Sequence, residues 1–382
     1  MADEQLSDRA GLEGADAPLP ADASVVIVGG GIAGLASAWH LAELGLANVL
    51  LLEAEPTLAS HASGRNAGIF LPVEENPTAI WLAARSRDLL DCRIGTSWLS
   101  AHGVTLVAAH ASALEELRFS ARKLGVYHEH WTGEELESEL PALRDGACTE
   151  ALHLPIAGVI DLRLILSRMR RWAVKAGVRI VCGQRVQAID VVGGRVAGVQ
   201  LAEGGVRTER VVLAAGAWNG ALGARAGATL ELTAQRRHLV QLQGPHMPSW
   251  NTPVVWRVDA PVYYRPEAGG VLASPCDEVP VEPGAPEVDP GASEAVLAQL
   301  QALAPTLAGH ASVERVWSCL RTVTSDRELA VGADPMVRGL YWCAGLGGRG
   351  MTVGAAAGEL LARNLLGLAH PLQRPLALER FD

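Results

Sequence analysis

The amino-terminal part of the chain contains a glycine-rich turn whose spacing suits the binding of a pyrophosphate. Gly29, Gly31 and Gly34 follow a run of apolar β-forming residues, and Glu53 lies about twenty residues beyond the last of these glycines. In such a turn one glycine makes the bend, one lets backbone amides approach the phosphates, and one lets the next helix lie close to the sheet. A carboxylate at Glu53 would accept the hydroxyls of an adenosine ribose and repel a 2′-phosphate. The pattern predicts an adenine dinucleotide site.

A second glycine-rich turn lies near the carboxyl end and leads into another helix. Gly347, Gly348 and Gly350 permit close approach of the backbone to a ring, and Met351 and Thr352 lie at the start of the helix. The positive end of this helix would face the N1–C2=O locus of a flavin, where negative charge gathers on reduction. This second turn, with a β-meander that returns to the first sheet, favours FAD over NAD as the dinucleotide.

The elements that position these turns are predicted from apolar periodicity and from Gly and Pro breaks. Residues 24–53 read as strand, turn, helix and strand, residues 185–216 as a meander of short strands, and residues 230–277 as a second β-rich block. We predict further strands at 103–109, 178–181 and 339–345, and helices at 78–92, 111–124, 133–139, 161–176, 294–304 and from about 350 onward. The first unit is continued by distant segments, which predicts two interleaved domains.

The composition indicates a compact globular protein with a small-molecule ligand. The chain has 382 residues, of which 49% are hydrophobic, and a net charge of −10 at pH 7. This acidic balance argues against nucleic acid or an anionic membrane surface as a partner. Residues 1–22 lack the cationic start and apolar run of a signal peptide, and no apolar segment is long enough to span a membrane, so we expect a cytoplasmic protein with a flexible tail.

The cysteines show no spacing typical of a metal site. No CxxC pair occurs, and no histidine follows a cysteine at the sequence spacing typical of zinc ligands, so no metal site is predicted. Buried free thiols in a reducing cytosol are the simplest interpretation. The six are Cys92, Cys148, Cys182, Cys276, Cys319 and Cys343.

Four blocks of sequence, in order, resemble the D-amino-acid oxidase superfamily of FAD enzymes. They are GGGIAGLASAWHLAELG…LLE, HASGRNAG, RVQAID…VVLAAGAW and CLRTVTSD…GLGGRGMTVG. The chain is most similar to the branch of glycine and sarcosine oxidases and bacterial D-amino-acid dehydrogenases, such as D-arginine dehydrogenase. This resemblance implies an α/β (α+β) fold, in which a Rossmann-like FAD-binding domain of the glutathione-reductase type is interleaved with a β-rich substrate domain. We assign the FAD-binding domain to residues 23–90, 151–229 and 316–382 and the substrate domain to residues 91–150 and 230–315.

The resemblance also implies a set of cofactor-binding residues. The loop 61–68 is expected to pass along the isoalloxazine ring and ribityl chain, and the backbone of Val186 to hold the adenine. Arg65 and Asn66 would donate to polar flavin atoms or else be solvated. The full set is Gly29, Gly31, Ala33, Gly34, Glu53, Ser63, Gly64, Arg65, Asn66, Ala67, Gly68, Val186, Ala215, Gly216, Trp218, Gly347, Gly348, Arg349, Gly350, Met351 and Thr352.

Substrate-binding residues follow from the same resemblance. Arg321 is expected to hold the substrate carboxylate with its rigid guanidinium fork, and Tyr263 to donate to the same group or else pack in the core. Tyr264 should point to the opposite face of its strand. His61 would lie near the flavin or on the surface. Arg349 departs from the tyrosine, histidine or asparagine of related enzymes, so it would bind a second anionic group or pair with an acid.

Cys319 stands two residues before Arg321, where monomeric sarcosine oxidases attach their flavin covalently. Strand alternation places both side chains on one face. We nevertheless expect a non-covalent FAD and an inert buried thiol at this position, because many relatives without the linkage vary there.

The resemblance implies oxidation of a D-amino acid or a small N-substituted amino acid to the imine, by hydride transfer to flavin N5, followed by hydrolysis to the 2-oxo acid. Oxidation of a 2-hydroxy acid on the same scaffold, or service as the FAD subunit of a larger electron-transfer complex, are the alternatives. Lys123 and Lys175, the only lysines, lie in predicted helices away from the flavin blocks. The oxygen-activating lysine of sarcosine oxidases is therefore not expected, and the electron acceptor, whether a quinone, a dye or O2, stays open.

Overall fold

The computed structural model describes residues 12–14, 18–74, 76–100 and 102–381. The strands in this part of the chain are β1 (Leu12–Glu13), β2 (Val25–Val28), β3 (Val49–Glu53), β4 (Ile69–Phe70), β5 (Leu99–Ser100), β6 (Val104–Ala108), β7 (Glu129–Thr132), β8 (Glu150–Leu154), β9 (Gly158–Ile160), β10 (Arg179–Cys182), β11 (Ala188–Val192), β12 (Arg195–Gln200), β13 (Gly205–Arg207), β14 (Val211–Leu213), β15 (Thr233–Gln243), β16 (Val254–Arg257), β17 (Val262–Glu267), β18 (Gly270–Ser274), β19 (Val279–Pro280), β20 (Ser312–Val323), β21 (Ala330–Ala333) and β22 (Leu340–Ala344).

The α-helices alternate with these strands and are concentrated around the first sheet. They are α1 (Ile32–Glu43), α2 (Pro77–Ile94), α3 (Glu115–Lys123), α4 (Gly133–Glu139), α5 (Leu162–Lys175), α6 (Asn219–Ala226), α7 (Ala292–Leu303), α8 (Pro305–Ala308) and α9 (Gly350–Leu365).

The first large sheet is parallel except at one edge. Its order is β1-β10-β3-β2-β14-β22-β21, and only the β21–β22 pair is antiparallel. The central strand β2 is buried on both faces, because Val25 and Ile27 pack into the core beneath α1 and α9 while Val26 and Val28 pack into the core on the opposite side. The continuous apolar run of β2 therefore belongs to an interior parallel strand.

The second large sheet is mostly antiparallel and forms the wall of the substrate side. Its order is β19-β15-β18-β17-β16-β6-β8-β7, with β20 paired along the other edge of β15. The long strands β15 and β20 pair from Thr233 opposite Val323 to Gln243 opposite Ser312. Helices α7 and α8 cover the outer face, so the inner face is left to line a cavity.

Helices α1 and α9 lie in close parallel contact. A Cβ atom added at Gly354 would lie 2.5 Å from Cγ1 of Ile32, and one added at Gly358 would lie 2.5 Å from Cβ of Ala36. Only glycine permits this approach, and the matching order of the two contacts means that the helices run in the same direction. Their N-termini therefore open at the same edge of the parallel sheet, beyond the carboxyl ends of β2 and β22.

The mixed α/β fold, with a Rossmann-like parallel sheet and an antiparallel substrate sheet, is confirmed. The division into domains stays a prediction, but the boundaries at 151 and 316 fall inside β8 and β20, and both strands pair within the antiparallel sheet. Residues 1–11 and 15–17 of the expected flexible tail lie outside the described residues. Within the tail, β1 pairs with β10, so this short part is not free.

Candidate active site

A single continuous cavity joins the two sheets. Its volume is about 1780 Å³, and it extends from Glu53 on the parallel sheet to Tyr263 and Arg321 on the antiparallel sheet. Pockets for drug-sized ligands measure roughly 300–1,000 Å³, so this cavity has room for an extended cofactor together with a substrate. All the predicted site residues line it except Gly34 and Gly64.

The two exceptions have packing roles in the same turns. A Cβ atom at Gly34 would lie 1.9 Å from the carbonyl oxygen of Gly29, so Gly34 holds α1 against the first turn. A Cβ atom at Gly64 would lie 2.4 Å from the carbonyl oxygen of Ala59. Gly34 thus has the helix-packing role that its position in the motif predicts.

The adenosine end of the cavity is organised by the Glu53 carboxylate. Its Oε2 accepts from the amide of Gly30 at 2.6 Å, and its Oε1 accepts from the amide of Glu55 at 2.8 Å. Because a carboxylate can accept about four hydrogen bonds, positions remain for ribose hydroxyls. Gly29 adopts a φ of 108°, which only glycine takes readily, and the turn then leads directly into α1.

Two helix N-termini meet the cavity without a capping side chain of their own. α1 follows Gly31 and α9 follows Arg349, and neither N-cap residue caps its own helix with a side-chain hydrogen bond. The amide of Ile32 instead donates to Oγ of Ser63, 3.0 Å away, which ties the loop 61–68 to α1. Uncapped amides and helix dipoles both favour negative charge, as a pyrophosphate and a reduced flavin would supply. These residues fit FAD.

The loop 61–68 is held by its own hydrogen bonds. Asn66 donates from Nδ2 to the carbonyl groups of Ala62 and Ser63, and its Oδ1 accepts from the amide of Gly68 at 2.7 Å. The structure therefore gives Asn66 a role in shaping the loop, whereas Arg65 is exposed. His61 pairs through Nε2 with Oε1 of Glu55 at 3.1 Å.

Arg321 and Tyr263 come together at the other end of the cavity. Tyr263 is 2% exposed, and burial raises its pKa to about 12, while the nearby charge of Arg321 opposes that rise. Burial lowers the pKa of Arg321, and the neighbouring charge of Arg237 lowers it further. Among the described residues, no carboxylate pairs with the Arg321 guanidinium. Tyr264 packs on the other side of β17 in the core beneath α7, as strand alternation predicts.

Gly348 places the second glycine turn directly against the Arg321 side chain. A Cβ atom at Gly348 would lie 2.5 Å from Cζ of Arg321. This turn also carries Arg349, whose Nη1 donates to Oε2 of Glu74 at 2.8 Å and whose Nη2 donates to the carbonyl group of Arg327. Of the two roles expected for Arg349, the ion pair with an acid is the one present in the structure.

Three cavity residues were missed from the sequence. Gln235 and Arg237 lie on β15 opposite Arg321 and Cys319, and Glu278 follows β18 and pairs with Arg237 at 3.1 Å. Oε1 of Gln235 and two nitrogens of Arg237 are buried without a hydrogen-bond partner. The pairing of β15 with the strand that carries Arg321 would have indicated Gln235 and Arg237. The register of that pairing cannot be predicted from the sequence of either strand, because the two strands are far apart in the chain.

Cys319 lines the cavity on the same face as Arg321. It is 7% exposed, and burial raises the pKa of its thiol, while Arg321 and Arg237 oppose that rise. The protonated thiol is a weak nucleophile. Among the described residues, no cluster of three or more His, Cys, Asp or Glu side chains could hold a metal ion, and none of the helices is long and apolar enough to cross a membrane.

Comparison with known proteins identifies the group to which this architecture belongs. Human mitochondrial sarcosine dehydrogenase is 26% identical over 385 residues, which are 92% of this chain and 40% of that protein. The 4-methylaminobutanoate oxidase (formaldehyde-forming) of Paenarthrobacter nicotinovorans is 29% identical over 364 residues, covering 90% of this chain and 44% of that enzyme. This chain thus spans less than half the length of these two relatives.

Among solved structures, L-proline dehydrogenase from P. horikoshii superposes with a TM-score of 0.85 at 21% identity, covering 95% of this chain and 98% of the other. This likeness shows the fold. Residues 24–364 match the family described as FAD dependent oxidoreductase (DAO), so the chain belongs to that family of FAD-dependent oxidoreductases.

Proposed function

We propose that the protein oxidises a small N-substituted amino acid or a D-amino acid to the imine, which water hydrolyses to the 2-oxo acid. The observation that carries this proposal is the single cavity that joins Glu53, the N-termini of α1 and α9, and the Arg321–Tyr263 pair. Sarcosine dehydrogenase and 4-methylaminobutanoate oxidase, both named for N-methyl amines, support the N-substituted class. A bound FAD supplies the two-electron acceptor for such a reaction.

Arg321 and Tyr263 bind the substrate carboxylate in this proposal. The guanidinium offers a planar fork that matches two carboxylate oxygens, and no acid of the described residues competes for it. Tyr263 stays protonated at neutral pH, because burial raises its pKa to about 12, so its hydroxyl donates to the same carboxylate. The two contacts orient the α-carbon within the cavity.

The protonation state of the substrate amine decides whether the reaction needs a base. An amine that binds in its neutral form has a free lone pair that stabilises the developing imine, so no strong general base is needed. The charge of Arg237, which lowers the pKa of Arg321, adds to the positive charge on this side of the cavity before a substrate binds.

Anaerobic mixing of the FAD-loaded protein with a substrate panel tests the proposal. The panel contains sarcosine, glycine, proline, D- and L-alanine, iminodiacetate, D- and L-aspartate, and the matched hydroxy acid lactate, and flavin absorbance is followed near 450 nm. Bleaching by an amine, with formation of the oxo acid or aldehyde, is expected. Bleaching by lactate alone would select the 2-hydroxy-acid alternative, and no bleaching by any compound would refute the proposed activity of the isolated chain.

The electron acceptor is tested by reoxidation of the reduced protein. Lys123 and Lys175 lie in the last turns of α3 and α5, and neither lines the cavity. Slow reoxidation by O2 and fast reoxidation by a quinone or dye are therefore expected. Oxygen reoxidation at the rate of an efficient oxidase would contradict a dehydrogenase assignment.

A further inference from the structure

Arg237 is a buried cation that the proposed carboxylate site does not use. The residue is 3% exposed and lines the cavity from β15, opposite Cys319 on β20. Its Nη2 donates to Oε1 of Glu278 at 3.1 Å and the Cys276 thiol interacts with the guanidinium, but no hydrogen-bond geometry within the described residues satisfies the buried Nε and Nη1. Leaving buried donors of a charged group unpaired is costly, so a partner from outside the chain is indicated.

Glu278 neutralises Arg237 only in part, because it serves a second arginine. Nη2 of Arg327 lies 2.9 Å from Oε1 and 2.8 Å from Oε2 of the same carboxylate. One negative charge is thus shared by two guanidinium groups. Burial lowers the pKa of Arg321, and the nearby charge of Arg237 lowers it further, so the two cations lie within electrostatic reach of each other. An anion bound at Arg237 would relieve this repulsion.

The strand register places the two arginines side by side on one face of the sheet. Gln235 stands opposite Arg321 and Arg237 opposite Cys319, so Arg237 and Arg321 are diagonal neighbours on one face of the β15–β20 pair. Diagonal Cα atoms lie roughly 7–8 Å apart, with Cβ atoms somewhat closer. Two neighbouring cations on one face can each bind one carboxylate of a short dicarboxylate.

We propose that Arg237 forms a second anion subsite and that the preferred substrates are short amino dicarboxylates. One carboxylate binds Arg321 and Tyr263, and the other binds Nε and Nη1 of Arg237. The identity of the reacting amine rests on the proposed function. The binding of a dicarboxylate uses the same Arg321–Tyr263 carboxylate site, but it is measured without oxidation of any amine.

Calorimetric titration of the FAD-loaded protein with inert acids tests binding apart from turnover. Succinate is compared with butyrate, which has the same chain length and one carboxylate. The native protein should bind succinate about tenfold to hundredfold more tightly, since a charge-assisted contact is added. Arg237→Met should abolish this preference and leave butyrate binding within about threefold. Arg236→Met removes the same charge from the neighbouring residue outside the cavity and should leave the preference intact.

Glu278→Gln provides a second variant, for which the expected result is a gain in succinate affinity. It removes the carboxylate that competes for Arg237, so succinate should bind several-fold more tightly than to the native protein. The rate of oxidation of iminodiacetate relative to sarcosine, and of aspartate relative to alanine, should fall in Arg237→Met, rise in Glu278→Gln and stay unchanged in Arg236→Met.

Equal affinity for succinate and butyrate in the native protein would overturn the subsite, as would an unchanged preference in Arg237→Met. If Arg237→Met loses affinity for succinate and butyrate to the same extent, the two arginines hold one carboxylate together. That result would also overturn the second subsite. If dicarboxylates bind as expected but no amine bleaches the flavin, the subsite stands and the proposed amine oxidation fails. The two failures are therefore distinguishable.

Discussion

Replacing Gly348 with alanine should weaken substrate binding through Arg321 and spare the cofactor. An added Cβ atom would lie 2.5 Å from Cζ and Nη1 of Arg321 and 2.9 Å from Nη2. Gly348 is not among the residues with positive φ, so alanine is not strained there. The guanidinium must therefore retreat by about 1 Å to reach ordinary contact, a misplacement large enough to impair catalysis.

The size of the effect follows from the contact that is disturbed. A hydrogen bond to a charged group contributes about 1.5–3 kcal/mol, and a shift of this size breaks one of the two parallel N–H···O bonds. We expect kcat/KM to fall by about 10- to 100-fold, mainly through KM. Arg321→Met, which removes both bonds, should lower kcat/KM by about 100- to 1,000-fold. Anaerobic stopped-flow reduction of the flavin measures both, with FAD content as the control.

A double-mutant cycle separates this explanation from a direct effect on the flavin. If Gly348→Ala acts only through Arg321, it should cost less than about twofold in the Arg321→Met background. Additive losses in the double variant would refute the reasoning, because the turn would then act independently of the guanidinium. Loss of FAD from Gly348→Ala alone would refute it as well.

Other predictions concern the cofactor, the thiol and stability. Glu53→Gln should weaken FAD binding by about tenfold or more, measured by titrating the apoprotein, because a ribose hydroxyl then loses its charged acceptor. Acid-precipitated protein should release all of its FAD, and Cys319→Ser should behave identically. Arg349→Tyr, which breaks the pair with Glu74, should lower the free energy of unfolding by about 1–2 kcal/mol and leave the preference between acidic and cationic substrates unchanged. Burial lowers the pKa of His40 from 6.5 to about 4. As the pH falls, His40 is therefore protonated in the unfolded chain before it is protonated in the folded protein. The free energy of unfolding should fall by about 3 kcal/mol between pH 6.5 and about 4. Urea unfolding of His40→Gln over the same range should show a correspondingly smaller loss.

The glycine-rich turns could be predicted from the sequence because their requirements are local. Gly29 needs a positive φ, and Gly34 contacts a backbone atom only five residues away. Both needs are met by residue type and spacing within one turn, so the pattern alone identifies the cofactor end of the cavity. The apolar runs of β2 and β22 are similarly local signals of buried strands.

Contacts between distant parts of the chain could not be predicted in this way. Arg349 and Glu74 are 275 residues apart, and nothing near either residue marks the other as its partner. The choice left open for Arg349, between a substrate anion and a protein acid, depends on where the segment after β4 lies. The same limit explains the domain boundaries inside β8 and β20, because the sheet that a strand joins depends on its pairing and not on its composition.

The clearest case is the pair of consecutive arginines in β15, of which only one can face the cavity. Because side chains alternate along a strand, Arg236 and Arg237 point to opposite faces of the sheet. Alternation alone does not predict which of the two faces the cavity. That depends on the register with β20, which sets Arg237 opposite Cys319 and turns Arg236 toward Asp289, 3.0 Å away. Because a slip of one residue would exchange the two side chains, the register itself determines whether the cavity has a second cation. A comparison of Arg236→Met with Arg237→Met therefore tests the pairing of the two strands as well as the chemistry of the site.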